Sequence, residues 1–174
     1  VSDIVSALPG TPAPYMLDEA DGDKIVMFDQ LFTLLATSPE TSDEFDAFFS
    51  DGPAGRPVPP HFHAKTHETF FVVEGEIQLW IDDRAGFRET RLLQPGGFGY
   101  VPRGAVHSYR MTKPSRIFGV TSAGFTDFFR AVGKPTDVAG SPTPENIHVP
   151  EFALMAAKGA EHDVNFIDGF ELWD

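Results

Sequence analysis

Apolar positions in this chain come in short runs, and Gly or Pro closes most of them. Residues 24–28, 31–36, 44–50, 68–73, 76–82, 92–93, 99–101, 105–111 and 116–121 are apolar segments of strand length. Alternate side chains on a strand share a face, so Glu68, Phe70 and Val72 fall together. Glu74-Gly75 joins two of these segments, where Gly allows a positive φ. Strands in one unbroken run predict a sandwich or a barrel. Residues 126–132 break the pattern and predict a short helix with Thr126 as N-cap and Gly133 as its stop. A second helix is expected over 150–160, with Phe152, Met155 and Ala156 on one side. Residues 1–23 read as an extended Pro- and acid-rich arm, and 133–146 as a loop.

Composition narrows the function. Twenty-six acidic residues against thirteen basic ones give a net charge of −13, which repels phosphate backbones and anionic lipid. No apolar run reaches the length of a membrane span. Residues 1–12 lack a basic stretch followed by an apolar core, so no secretory leader is read and a cytoplasmic location is expected. The chain has no cysteine, so a metal would be held by His and carboxylate groups.

Two stretches carry that chemistry. In the first, running from Gly55 through His61, His63 and Glu68 to Gly75, the two imidazoles stand two residues apart and point the same way on a strand. Glu68 opens the next strand after a four-residue turn. The second stretch, with Gly96, Pro102, Gly104 and His107, brings a third imidazole from a later strand. Three imidazoles and one carboxylate in an apolar barrel suit a divalent transition metal with positions left open for substrate.

These stretches resemble the cupin motifs G-x5-H-x-H-x4-E-x6-G and G-x5-P-x-G-x2-H-x3-N, departing only at Met111, where the family usually has Asn. The resemblance implies a double-stranded β-helix, a small antiparallel jelly-roll barrel. The barrel core would span about 24–122 and a C-terminal helical and loop extension 123–174, with 1–174 as a single domain. Further segments resemble the flavonol (quercetin) 2,3-dioxygenases in the same order: Pro14-Tyr15, Asp29-Gln30-Leu31, His67-Glu68-Thr69-Phe70-Phe71, Gln78-Leu79-Trp80, Val106-His107-Ser108-Tyr109-Arg110 and Phe128-Phe129-Arg130.

That resemblance implies one divalent metal (Ni, Mn, Co, Fe or Cu) on His61, His63, Glu68 and His107, with Glu68 also the catalytic base for the flavonol 3-hydroxyl. Dioxygen and a small aromatic molecule would be the substrates, carbon monoxide would be released, and a homodimer is implied. Phe70, Tyr109, Met111, Phe45, Phe49 and Trp80 are candidates for an apolar slot around the substrate, with Trp80 placed outside or in the core. His67 is read as structural, His148 and His162 as solvated, and the Phe128-Phe129 pair as docking its helix on the barrel. The alternatives are another cupin metalloenzyme, acting on a different phenol or a β-diketone or as an isomerase, and a non-catalytic ligand-binding cupin.

Overall fold

A computed structural model describes residues 4–174; the first three residues of the expected arm lie outside it. Ten strands form the barrel. They are β1 (Asp23–Met27), β2 (Gln30–Ala36), β3 (Phe45–Gly52), β4 (His61–Phe62), β5 (Glu68–Glu74), β6 (Ile77–Asp82), β7 (Arg88–Leu93), β8 (Phe98–Val101), β9 (Val106–Met111) and β10 (Ser115–Ser122). A single turn of helix, α1 (Ser38–Thr41), joins β2 to β3. After β10 come α2 (Asp127–Val132), β11 (Lys134–Thr136), α3 (Phe152–Glu161) and β12 (Asn165–Phe166).

The strands build two antiparallel sheets, ordered β11-β1-β2-β3-β10-β5-β8 and β12-β4-β9-β6-β7. Alternation drives the packing. Along β10 buried and half-buried residues alternate without a break, and along β5 Glu68, Phe70 and Val72 are buried while Phe71 is exposed. Gly75 turns the chain between β5 and β6 at φ 80°, and a Cβ there would collide with Pro114 and Ser115. The fold is all-β and its architecture is the jelly-roll barrel.

One apolar cluster, with Phe70, Val72, Ile77, Leu79, Val101, Tyr109, Met111 and Ile117, fills the barrel between β5, β6 and β9. The other packs α2 and α3 against β1–β3 through Ile25, Phe32, Phe48, Phe125, Phe128, Phe129 and Met155.

Several local expectations are corrected. Residues 133–146 are not all loop, because Lys134–Thr136 pairs with the otherwise open edge of β1, and Pro135 is tolerated at that edge. Thr126 stands at the N-cap of α2 as expected, but its side chain makes no capping bond, because its hydroxyl donates to buried Asp46 at 2.7 Å. Helix α3 buries Met155 and Gly159, while Phe152 in its first turn is exposed. Strand β7 is longer than its apolar pair Leu92-Leu93, since pairing with β6 makes a strand of the polar residues before them.

Candidate metal centre and its cavity

The structure brings His61, His63, Glu68 and His107 together, with one ligand atom from each lying within 4.8 Å of the others. His61 opens β4 and pairs across the sheet with His107 on β9, His63 follows just past the end of β4, and Glu68 opens β5 from the facing sheet. The ring centroids stand 4.3 Å apart for His61 and His107, 5.0 Å for His61 and His63, and 5.1 Å for His63 and His107.

Hydrogen bonds at the back of each ring prepare the front. His61 Nδ1 meets the Pro59 carbonyl at 2.9 Å, His63 Nδ1 the Asp163 carbonyl at 2.6 Å, and His107 Nδ1 the Ala105 carbonyl at 3.2 Å. A carbonyl can only accept, so each Nδ1 carries the hydrogen and each Nε2 keeps a lone pair in the neutral ring. Two of those Nε2 atoms converge on one oxygen, Glu68 Oε2, at 3.0 Å from His63 and 2.9 Å from His107. Lone pairs converging on a carboxylate oxygen require positive charge between them, supplied by a proton or by a metal ion. Burial alone would raise the Glu68 carboxyl, yet the close approach of His107 and His63 holds it well below the usual carboxylate range. Burial pushes His61 well below the usual histidine range, with the other two imidazoles adding to it. For His63, burial is outweighed by its bond to Glu68, and its pKa rises. Thr121, across the ladder from Glu68, keeps a buried hydroxyl with no partner among the described residues. The donor set therefore fits one divalent ion: three neutral imidazole nitrogens and one ionised carboxylate oxygen.

His61 and Glu68 lie on the wall of a cavity of ≈ 70 Å³, several waters' worth at roughly 10–15 Å³ each. Phe70 and Tyr109, expected there, do line it. Three other expectations are corrected. Phe45 is 44% exposed, and half-buried Phe49 packs on Phe118 and Arg116 outside the barrel. The inward face of β3 is the opposite one, carrying Phe48 and Ser50. Met111 is buried in the apolar cluster beneath the cavity and does not line it. Trp80 is buried on the outer side of its sheet, where its indole N–H donates to the Trp173 carbonyl at 2.6 Å.

The remaining wall was not foreseen from sequence. Phe28, Phe32, Phe125, Phe128, Phe129 and Phe166 are part of it, so the Phe128-Phe129 pair both docks α2 and faces the cavity. The crowding of Phe125, Phe128 and Phe129 just after the last barrel strand was the available signal. Nothing local marked the C-terminal segment. Asp163 there accepts from the Ala64 and Lys65 N–H groups at 2.7 and 2.8 Å, besides holding His63. His148, expected to be solvated, is half-buried, bonds the Val132 carbonyl through Nε2 and pairs its backbone with Phe28. His162 is half-buried. His67 lies outside the cavity, bound by Tyr100 and Arg103.

Comparison with known proteins agrees with this geometry. The Cupin domain family profile matches residues 48–121. A quercetin 2,3-dioxygenase of Bacillus subtilis (strain 168) is 35% identical over 133 residues, covering 75% of this chain and 38% of that protein. A quercetin 2,3-dioxygenase of Aspergillus japonicus is 30% identical over 145 residues, covering 80% and 41%. Among solved structures, an oxalate decarboxylase variant of Bacillus subtilis superposes with TM-score 0.54 at 17% identity, covering 67% of this chain and 32% of that one. That last likeness shows the fold.

Residues 48–121 are a cupin domain, and the two-sheet barrel around them has the cupin fold. Within that class the chain resembles the quercetin 2,3-dioxygenases, and it spans about two fifths of the length of the curated relatives it matches.

Proposed function

We propose that this chain is a metal-dependent dioxygenase unit that opens flavonols such as quercetin with O2 and releases carbon monoxide. The observation that carries the reading is Glu68 held between two imidazoles beside a cavity walled largely by phenylalanines, in a chain 35% identical to a quercetin 2,3-dioxygenase. His61, His63, Glu68 and His107 would hold one divalent Ni, Mn, Co, Fe or Cu ion. That ion, when bound, supplies a positive centre that lowers the pKa of a phenol brought to it. Glu68 is the general base: an ionised carboxylate within reach of the substrate oxygen takes its proton. The aromatic wall accepts a flat ring system and keeps bulk water out.

The same reading takes residues 1–174 as one cupin domain, cytoplasmic, with no nucleic-acid or membrane partner. No helix among the described residues is long and apolar enough to cross a membrane. A homodimer would use the outer face of the seven-stranded sheet. There Phe49, Phe118, Phe71 and Phe98 stand in register across four strands, with Phe71 and Phe98 exposed. Sedimentation velocity reads the oligomeric state directly.

The deciding experiment strips the protein, reloads it with each of Ni, Mn, Co, Fe and Cu, and supplies quercetin under air. Loss of the flavonol absorbance with stoichiometric oxygen uptake and carbon monoxide release is expected with at least one metal. Quercetin left intact at full occupancy by every metal would overturn the assignment and leave another cupin chemistry, on a different phenol or β-diketone, for this site.

A further inference from the structure

We propose that Gln30, braced by Ser50 and Tyr109, is a second polar subsite in the cavity, one that binds a phenolic oxygen of the substrate away from the metal ligands. The inference rests on the flavonol reading and adds to it a reason for preferring polyhydroxylated aromatic substrates.

Gln30 opens β2, Ser50 lies on the neighbouring β3, and Tyr109 reaches across from β9 in the other sheet. All three are buried and all three line the cavity. Tyr109 Oη donates to Gln30 Oε1 at 2.6 Å, and Ser50 Oγ donates to the same oxygen at 2.7 Å. Two donors fill both lone pairs of that carbonyl and fix the amide plane. Gln30 Nε2 then retains N–H donors with no partner among the described residues. Bracing of the two sheets uses one half of the amide only. The other half is a donor left open in a wall that is otherwise almost entirely apolar.

The position suits a ligand that also reaches the metal ligands. Tyr109 lies two residues beyond His107 on the same face of β9, so the trio sits one side-chain row, about 7 Å along the strand, from the metal row. Phe70 packs between them, with its ring 5.2 Å from Tyr109 and 6.2 Å from His107. A flat aromatic ligand lying against Phe70, with one oxygen at the metal row, presents further ring oxygens toward Gln30. A phenolic hydroxyl accepts from the amide N–H. A site that offers a buried donor rejects an analogue without the matching oxygen, because the donor is then left unmade.

The test is a pair of ligands in metal-loaded protein. Quercetin carries hydroxyls on its outer rings, while 3-hydroxyflavone keeps only the 3-hydroxy-4-oxo unit. Affinities are read by quenching of the fluorescence of Trp80 and Trp173 in wild type and in Gln30→Met. The wild type is expected to prefer quercetin. Gln30→Met is expected to cut that preference about fivefold, the worth of one net hydrogen bond. Tyr109→Phe keeps the ring, removes one of the donors that orient the amide, and is expected to move the preference the same way. It serves if circular dichroism shows Gln30→Met unfolded. Equal affinity of the two ligands in wild type, or a preference unchanged in the folded variants, overturns the subsite and leaves the flavonol reading standing. If neither ligand binds the loaded wild type, the flavonol reading falls and the subsite falls with it.

Discussion

Each imidazole of the candidate metal centre spends its Nδ1–H on a backbone carbonyl, and that choice leaves Nε2 free on the side where Glu68 stands. Of the four, Glu68 alone has a second oxygen that can take a proton while the first faces the imidazoles. Glu68→Gln keeps the shape and an amide oxygen but loses the basic charge. On the proposed function, the variant is expected to retain much of its metal, by elemental analysis, while quercetin turnover falls by about a hundredfold or more. Wild-type turnover in that variant would remove the general-base role. Asp163 acts one step back. Its carboxylate accepts two N–H groups of the turn after His63, and its carbonyl takes the His63 ring hydrogen. Burial alone would raise its carboxyl, and the N–H bonds from Lys65 and Ala64 outweigh it and hold it low. Asp163→Ala frees that turn and is expected to weaken metal binding about tenfold in a chelator competition, the usual scale for losing such a support. Undiminished affinity would show that the turn holds His63 without it.

At the scale of elements, α2 is a six-residue helix whose place depends on one buried carboxylate. Asp46 on β3 accepts the Gly124 and Thr126 N–H groups and the Thr126 hydroxyl. Those bonds set the entry of α2, and α2 in turn lays Phe128 and Phe129 along the cavity. Burial pushes the Asp46 carboxyl up, partly offset by these donors. Asp46→Ala leaves two N–H groups and a hydroxyl buried without an acceptor. A loss of at least about 3 kcal/mol in urea unfolding is expected, at roughly 1–3 kcal/mol for each of the three unmade groups. Faster amide exchange at the start of α2 should accompany it. Strand β3 also shows where local reading stops. Its period of two was plain, but both faces carry Phe, so the pattern alone could not say that Phe48 looks inward and Phe45 and Phe49 outward.

Over the whole molecule, long-range pairs tie the ends of the chain to the barrel. Asp23 at the start of β1 takes a hydrogen bond at 2.8 Å from Arg130 of α2, 107 residues away, and others from Ser6 and Ala7. Burial alone would raise the Asp23 carboxyl, but the Arg130 bond and its neighbours lower it below its ordinary 3.8. A carboxyl lowered on folding adds stability above its unfolded pKa and loses it as pH falls through the folded value. Asp23→Asn is therefore expected to be less stable than wild type at about pH 7, with the gap closing as the solution is taken below the carboxylate range. Urea midpoints across that range measure it. A gap that stays constant with pH would mean the ion pair contributes nothing through charge.

The sequence by itself determined which four polar side chains meet, His61, His63, Glu68 and His107, and most of the strands around them. His61, His63 and Glu68 fall within eight residues, and a spacing of two brings the side chains of His61 and His63 to one side of an extended chain. Gly75 at a forced turn and the Pro102–Gly104 turn before His107 were legible for the same local reason. Only the tertiary structure decided which face of β3 lines the cavity, that Gln30, Ser50 and Tyr109 meet, and that the C-terminal segment returns to support the site. Asp163 reaches His63 across 100 residues and Trp173 reaches Trp80 across 93. Contacts of that separation leave no periodicity or motif in the chain, because each partner is chosen by packing against elements that form elsewhere.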